Sequence, residues 1–313
     1  MATSESATVS AADRRRPRSV GTFLRSQMRN IAPFLTLIFL SSFFAAASPS
    51  FATLDNVGNI LTQVSVTGII AVGLTFVILC AEIDLSIASI ANVTGIAVAY
   101  FTLQDSYVNI ANVPLPGWAA ILLALALCAL LGLVNALGLT VIGIPSFIMT
   151  LAMMQIAAGI SALLVRGQIA YKVPAPIATL GSSSIGGVPW IVVVAALMLL
   201  GGHLVLTYTR FGRYVYMVGG NREAAEYSGL NVKLILGSVM VISAVVVGGT
   251  SLFGGQGGIG NTIVGLFVLG VLNNGLDHVN IDSFLKILIR GLILLAALVI
   301  NVYAQRLRAK AID

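Results

Sequence analysis

The sequence predicts an all-α, polytopic membrane protein with about 8–10 transmembrane helices, some of them broken or re-entrant. Of the 313 residues, 58% are hydrophobic and only 9% are charged, and the mean hydropathy is +1.00. This is too little charge for a soluble globular domain. The apolar runs reach the roughly 20 residues that a helix needs to cross a bilayer. Aromatic residues make up only 7% of the chain and strict alternation is absent, which argues against an outer-membrane barrel.

Basic residues at both ends of the chain predict its topology. Residues 1–30 form a polar tail with six arginines, and residues 306–313 form a short basic tail. Between them, residues 31–305 form the transmembrane domain. Positive residues stay on the cytoplasmic side, so we expect a multi-pass membrane protein with a cytoplasmic N-terminus. Only one aromatic residue, Phe23, lies among these arginines, and we expect no nucleic-acid partner.

The first three apolar runs predict the first three spans. The first run, at about residues 31–47, ends at the breaker "SPS". The second run covers about residues 59–80, and "AEIDLS" separates it from a third that continues to about residue 101. The stretch "QDSYVNIANVPLPG" then carries two prolines and no Lys or Arg, so we expect a loop on the outer side.

Three further runs return the chain to the cytoplasm. The fourth, at about residues 118–139, turns through "GLTVIGIPS" into a fifth at about residues 147–165. Residues 166–187 are expected to form a polar outer loop, although its two basic residues depart from the positive-inside pattern. The sixth run covers about residues 188–208, and the densest internal cluster of charges follows it. The crossing count and the charge pattern therefore agree.

The stretch "GGNREAAEYSGLNV" predicts a short polar helix on the cytoplasmic side. Asn221 is suited to accept the free amides of the first turn, and Glu223 favours the positive end of the helix dipole. Gly229 is suited to a left-handed C-terminal cap. Two turns are too short to be stable alone, so the helix must dock on something. An ordinary interfacial connector is the alternative.

Acids and amides inside the apolar region have two interpretations each. Glu82 and Asp84 lie in the "AEIDLS" interruption, where Asp84 either caps a helix that starts at Leu85 or lines a transport path. Asn92, Asn135, Asn273 and Asn274 lie in apolar spans. Their side chains either bond neighbouring helices or contact solute in a water-filled path. These asparagines and Asp84 are the candidate translocation path, because a polar solute needs hydrogen-bonding partners.

Four stretches together resemble the ABC-transporter permeases of ribose/xylose/galactose-type sugar importers, which are related to branched-chain amino-acid permeases. These stretches are "TRFGRYVYMVGGNREAAEYSGLNV", "GLTFVILCAEIDLSIASI", "IPSFIMTLAMM" and "VGGTSLFGGQGGIGNTIVGLFVLGVLNNGL". The resemblance implies that residues 209–233 are the coupling loop, whose short helix enters a groove of an ATPase subunit. The implied coupling residues are Gly220, Asn221, Arg222, Glu223, Ala224, Ala225 and Gly229, with Glu223 and Ala224 facing the groove.

The resemblance also implies the partners. They are an ABC ATPase subunit, a periplasmic sugar-binding protein and a second copy of the permease or a paralogue, all assembled at the lipid bilayer of the bacterial inner membrane. ATP and Mg²⁺ are expected on the ATPase, because the chain has no "GxxxxGK[ST]" motif and "GGQGGIGNT" lacks its lysine. We expect no cofactor, no metal site and no catalysis in this chain. An ion-coupled secondary carrier is the alternative, and the identity of the solute is not encoded in any motif.

The chain departs from the resembled family near residues 234–247. There, "NVKLILGSVMVISAVVVGGTSL" joins the start of one helix to the end of another, and about thirty residues are missing by comparison with the family's longer pattern. From Leu234 to Val247 a helix would be about 21 Å long, short of the roughly 30 Å bilayer core. We therefore predict that residues 234–258 enter and return without crossing, which leaves the C-terminus inside. A single cysteine placed at Asp313 should react with an impermeant reagent only after permeabilisation.

Overall fold

The computed structural model describes residues 20–102, 115–165, 183–246, 259–282 and 284–293, together with the isolated positions 295 and 299. The predicted outer loops lie largely outside the described residues, and both tails lie mostly or wholly outside them. Residues 247–258 also lie outside them.

The described chain is almost entirely helical, which confirms the predicted fold class. Ten α-helices carry the structure: α1 (Val20–Ala47), α2 (Leu54–Leu79), α3 (Ile87–Thr102), α4 (Gly117–Leu137), α5 (Ser146–Val165), α6 (Trp190–Tyr208), α7 (Arg210–Gly220), α8 (Arg222–Tyr227), α9 (Val232–Val245) and α10 (Ile259–His278). A π-helical turn, Gly138–Ile142, extends α4. Residues 284–293 are also helical. The strands β1 (Ser184–Ile185) and β2 (Val188–Pro189) pair antiparallel in a small hairpin before α6.

Four of these helical segments are long and apolar enough to cross a membrane. They are Leu54–Leu79, Gly117–Ile142, Ser146–Val165 and Trp190–Tyr208. Shorter apolar helices cover Pro33–Ala47, Ile87–Phe101 and Val232–Val245. The last of these has 14 residues, a length of about 21 Å, as the sequence predicts. Many large apolar side chains on the outer helix faces are exposed, as expected of surfaces that meet lipid.

Helix α2 is the centre of the fold. It packs against α6, α10, α9 and α7, and its last two turns supply much of the main core cluster. Val77, Leu79 and Cys80 have no exposed surface. Cys80 and Cys128 are both buried free thiols. A second group, α3, α4 and α5, packs beside α2, and α9 lies against both α4 and α2.

The turns of the chain gather at two ends of this helical layer. One end, here named the α8 end, contains the interruption at residues 80–86, the turn at 138–145 and the segment 209–231. The opposite end contains residues 48–53 and the C-terminus of α10, where the rings of Phe51 and His278 pack edge to face. The segments predicted to be cytoplasmic after the first span therefore lie together at the α8 end.

Two local predictions differ from the structure. Helix α3 begins at Ile87 rather than at Leu85, because the chain stays extended until Ser86, whose carbonyl accepts the first helical bond from Ile90. Residues 210–220 form a separate helix, α7, which the charge pattern of this stretch does not reveal. Thr209 caps α7 by accepting a hydrogen bond from the Gly212 amide at 3.1 Å.

Val246 and Ile259, the described residues on either side of positions 247–258, lie at one turn of α2. A Cβ on Gly73 would lie 1.2 Å from the carbonyl oxygen of Val246. A Cβ on Gly202 would touch both Val72 and Ile259. Val72 and Gly73 lie six or seven residues before the end of α2, so both contacts are about 10 Å from the α8 end. Val246 and Ile259 therefore lie at the same depth, and whether residues 234–258 cross stays a prediction.

Candidate functional site

The polar stretch forms the predicted capped helix. The side-chain oxygen of Asn221 accepts a hydrogen bond from the Ala224 amide at 2.9 Å, and Glu223 lies in the first turn of α8. Gly229 has a φ of +81°, the left-handed conformation that glycine adopts without strain. The amide of Leu230 then bonds back to the carbonyl of Ala225 at 3.2 Å. Both caps and the two-turn length agree with the sequence prediction.

Helix α8 has one buried contact and a broad exposed surface. Ala225 is 1% exposed and belongs to the main core cluster. Glu223, Ala224 and Glu226 are exposed, and Tyr227 is 90% exposed. Of the predicted coupling residues, Ala225 therefore holds the helix on the chain itself, whereas Glu223 and Ala224 are free to meet a partner. A large exposed tyrosine beside them is a further candidate that the sequence interpretation did not include.

A close backbone contact fixes the segment just before α8. A Cβ on Gly219 would lie 1.6 Å from the carbonyl oxygen of Leu79, the last residue of α2. Only glycine fits this position, so α7 rests directly on the backbone of α2. Gly220, by contrast, has nothing within 4 Å of its added Cβ. Of the two glycines, Gly219 is thus required for packing, and Gly220 lies in open space.

The first residue of α8 is bound to the interruption between α2 and α3. The guanidinium of Arg222 forms an ion pair with the carboxylate of Glu82. Glu82 is 7% exposed, so its charge is removed from most of the solvent, whereas the Arg222 side chain is 47% exposed. The 140 residues between the partners leave no local pattern that could predict this pair. An acid kept within an apolar region is the only sequence signal for it.

Asp84 is the centre of a buried hydrogen-bond network. One carboxylate oxygen accepts from the amide of Ser86 at 2.9 Å and from its hydroxyl at 2.6 Å. The other accepts from the Ser243 hydroxyl in α9 at 3.2 Å. Asn135 in α4 donates to the Ser86 hydroxyl at 3.0 Å. Asp84 therefore binds the residue before α3, although Ser86 rather than Asp84 occupies the N-cap position, and it also connects this segment with two distant helices.

Helix α5 holds the backbone of the same interruption. The amide of Ile83 donates to the Ser146 hydroxyl at 3.3 Å, and the amide of Leu85 donates to the Thr150 hydroxyl at 3.2 Å. Ala81, just before, has a φ of +61°, which is unfavourable for a residue with a side chain. Residues 80–86, here named the break, are thus held by α4, α5, α8 and α9. Its extended backbone needs these partners because no helix satisfies its amides.

Asn274 belongs to a separate network at the opposite end. Asn56 and Asn274 exchange two side-chain hydrogen bonds of 2.8 and 2.9 Å between α2 and α10. His278 donates from Nε2 to Asn56 at 2.8 Å and shares a 2.9 Å bond with Ser50 through Nδ1. For Asn274, interhelical bonding is therefore the interpretation that the contacts support. Asn56 and His278 are members that the sequence analysis did not single out.

The remaining predicted path residues lie apart from one another. Asn92 in α3 is exposed, and Asn273 in α10 is half-buried. The side-chain oxygens of Asn135 and Asn273 are buried and accept no hydrogen bond from the described residues. An unsatisfied buried acceptor is costly, so these two oxygens are the atoms best suited to meet a hydroxyl group. The five predicted residues thus fall into separate places, with Asp84 and Asn135 together at the break.

A cleft of about 720 Å³ opens at the α8 end. Its walls come from the break, from the turn after α4 and from the residues that lead into α8, including Glu82, Phe147 and Arg222. The described residues contain no group of three or more His, Cys, Asp or Glu that could hold a metal ion. The cleft therefore lies between three segments, namely the break, the α4–α5 turn and the start of α8. Its lining has no group of side chains suited to bind a metal ion.

Comparison with known families decides the class. Residues 56–249 match the family described as "Branched-chain amino acid transport system / permease component". The chain belongs to this family. The permease is 32% identical to the ribose import permease protein RbsC of Escherichia coli K12, over 89% of this chain and 95% of that protein. It is 30% identical to the xylose transport system permease protein XylH of the same strain, over 77% of this chain and 83% of that protein. These relatives are transport permeases rather than enzymes.

The alignment with RbsC also bears on the length of this permease. Its 315 aligned positions take in 89% of the 313 residues, or about 279, so about 36 positions face gaps in this chain. This agrees with the predicted absence of about thirty residues, whose location near residues 234–247 stays a prediction. The helices that border the break, the cleft and α8 all lie within the described part of the chain. No solved structure matches the chain significantly.

Proposed function

We propose that this permease is the membrane-spanning subunit of an ATP-driven ABC importer for a sugar or sugar-like solute. The observation that carries the proposal is α8, a capped two-turn helix with an exposed polar surface and one buried anchor, Ala225. Such a helix is suited to dock in a groove of another protein. Relatives named as ribose and xylose permeases support the sugar class.

The proposed partners follow from this role. An ABC ATPase binds α8 through Glu223 and Ala224, with ATP and Mg²⁺ held on the ATPase. A second copy of the permease or a paralogue completes the pathway, and a periplasmic binding protein delivers the solute. The N-terminus and the α8 end lie in the cytoplasm, where positive residues are retained. Residues 31–305 are the transmembrane domain between the two basic tails.

We place the solute path beside the break and α10. Asp84, Asn92, Asn135, Asn273 and Asn274 remain its candidates, and the unpaired oxygens of Asn135 and Asn273 are the first choice. A sugar hydroxyl donates a hydrogen bond to such an oxygen and removes the energetic penalty of leaving it unpaired. Asn274 is the last choice, because both of its polar atoms already bond Asn56.

Reconstitution tests the proposal against an ion-coupled secondary carrier. Proteoliposomes contain the permease with or without the ATPase and binding protein encoded beside it, and uptake of labelled ribose, xylose and galactose is measured. We expect uptake only with ATPase, binding protein and ATP. Uptake by the permease alone under a proton gradient would contradict the proposal. The break carries two acids, so the secondary-carrier alternative has specific residues to test, Glu82 and Asp84.

A further inference from the structure

We infer that the Glu82–Arg222 ion pair is the connection through which movement of α8 reaches the break. This inference rests on the proposed function, because it needs a partner that moves α8. Arg222 is the first residue of α8, and Glu82 lies within the break between α2 and α3. The pair therefore joins the docking helix directly to a non-helical segment of the membrane region.

The burial of the two partners makes the connection directional. The carboxylate of Glu82 is almost fully covered, whereas the side chain of Arg222 is half exposed at the edge of the cleft. A buried carboxylate that loses its counter-charge is strongly disfavoured. When α8 moves, Glu82 is therefore expected to follow Arg222 rather than remain alone. Solvent can replace Glu82 at the exposed guanidinium more easily than it can replace Arg222 at the carboxylate.

A second contact, between Gly219 of α7 and the end of α2, differs mechanically from the ion pair. Gly219 meets the carbonyl of Leu79 by steric contact, with no bond that resists separation. Such a contact transmits a push but not a pull. The ion pair resists separation, because opposite charges attract in a poorly solvated site. Together, the two contacts let a movement of α7 and α8 push the end of α2 in one direction and pull the break in the other.

The break is built to respond to a pull at Glu82. Ala81, the preceding residue, is already in the unfavourable left-handed conformation, so a rotation there can relieve strain. Two residues after Glu82, Asp84 holds Ser86 and Ser243. Through Ser86, the network reaches Asn135, a candidate path residue. A displacement of Glu82 is thus passed to α3, α4 and α9 through a short run of hydrogen bonds.

The test measures movement of the break in the assembled complex without needing the solute. Ile83 is 37% exposed, and both native cysteines are buried, so Ile83→Cys supplies a labelling site in the break. The Ile83→Cys permease is purified with its ATPase, and the rate of maleimide labelling is measured with and without ATP. We expect ATP to change the rate at least about threefold, a change that needs under 1 kcal/mol.

Charge variants in the Ile83→Cys background separate a transmitting pair from a structural one. Glu82→Gln and Arg222→Gln should abolish the ATP-dependent change while the ATPase still co-purifies. Arg222→Lys should keep the change, and the swapped pair Glu82→Arg with Arg222→Glu should restore at least half of it. Lys286→Gln is the matched control, because it removes the Lys286–Asp277 ion pair at the opposite end. The Lys286→Gln variant should keep the full ATP-dependent change in the labelling rate.

Any other result contradicts the role of the ion pair, the whole inference, or the inference together with the proposed function. If both single glutamine variants keep the ATP-dependent change, or if the swapped pair co-purifies without restoring it, the transmitting role of the pair is wrong. If the ATPase binds but ATP does not alter labelling of Cys at position 83 in the otherwise native permease, the inference fails and the proposed function stands. If no ATPase binds the permease at all, both fail.

Discussion

The two ends of the helical layer use buried polar groups in different ways. At the α8 end, the chain is interrupted, and Glu82 and Asp84 connect the interruption with α4, α8 and α9. At the opposite end, the side chains of Asn56, Asn274 and His278 join two continuous helices. Both arrangements connect residues far apart in sequence. At the α8 end the acids are buried and lie in irregular backbone, whereas Asp277, in the Lys286–Asp277 ion pair at the opposite end, is 48% exposed.

This difference teaches which end is suited to move. Continuous helices satisfy their own backbone amides, so their side-chain bonds can serve stability alone. At the break, backbone amides of Ile83 and Leu85 depend on hydroxyl groups of α5, and a change in one partner alters the path of the main chain. Irregular backbone at membrane depth is tolerated only when protein covers it or a cavity adjoins it. Here both conditions are met.

The largest effect is expected at the exposed surface of α8. Replacing Ala224 with Trp puts a large side chain where the ATPase is proposed to dock. A clash of about 1–3 kcal/mol would lower solute uptake per ATP hydrolysed roughly fivefold or more. Membrane insertion should be unchanged. The measurement is uptake and ATP hydrolysis in the reconstituted complex.

A tryptophan at the opposite end is the matched control for that variant. Ala52 is exposed in the loop before α2. Ala52→Trp should co-purify with the ATPase as well as the native chain does. Normal coupling in Ala224→Trp would contradict the proposed docking surface, and loss of ATPase binding in Ala52→Trp would remove the contrast between the two ends.

The next effect is steric and concerns adjacent glycines. Gly219→Ala should lower the free energy of unfolding by about 1–3 kcal/mol, because the new Cβ would overlap the backbone of Leu79. Gly220→Ala should be neutral or raise it by up to about 1 kcal/mol, because alanine favours helix and meets open space. Thermal unfolding in detergent measures both. Equal melting temperatures for the two variants would show that α7 does not rest on the backbone of α2.

A smaller effect is expected at Asp84. Asp84→Ala leaves the amide and hydroxyl of Ser86 without their acceptor and should destabilise the protein by about 1–3 kcal/mol, whereas the Ser243 hydroxyl keeps the Met240 carbonyl. Asp84→Asn keeps one acceptor oxygen and should be mild. Thermal unfolding and uptake are measured for both variants. If Asp84→Asn abolished uptake at unchanged stability, the charge itself would be essential and the capping interpretation would be insufficient.

The smallest effect is expected at the opposite end. In a double-mutant cycle with Asn56→Ala and Asn274→Ala, the coupling energy should be about 0.6–1.7 kcal/mol, the range for hydrogen bonds between membrane helices. Both single variants should retain ATP-driven uptake. A loss of uptake in Asn274→Ala at near-native stability would return Asn274 to the solute path and weaken the contrast between the ends.

Local patterns predicted local structure well. Asn221 and Gly229 cap α8 as expected, since capping depends on residues within one or two turns. The breaker "SPS" and the turn "GLTVIGIPS" also end helices where the sequence predicts. The start of α3 was placed two residues early, because Ser86 rather than Asp84 provides the first helical carbonyl.

These local patterns could not predict contacts between residues that are far apart in the sequence. Glu82 meets Arg222 across 140 residues, and Asn274 meets Asn56 across 218. The sequence marks each as a polar residue in an apolar run but does not say which helices become neighbours. Likewise, nothing in "GGN" distinguishes Gly219 from Gly220, because only the position of α2 makes one of them indispensable. Packing of helices therefore determines the roles that spacing alone left open.

Val246 and Ile259 both lie at the turn of α2 that contains Val72 and Gly73, about 10 Å from the α8 end. Helix α9 therefore ends, and α10 begins, at one depth inside the helical layer. Helix α10 continues from there to the opposite end, where His278 packs against Phe51. Each of these two helices thus covers only part of the thickness of the layer. Because polar main-chain groups at such a depth need protein contacts, α2 serves as the support for both helix ends.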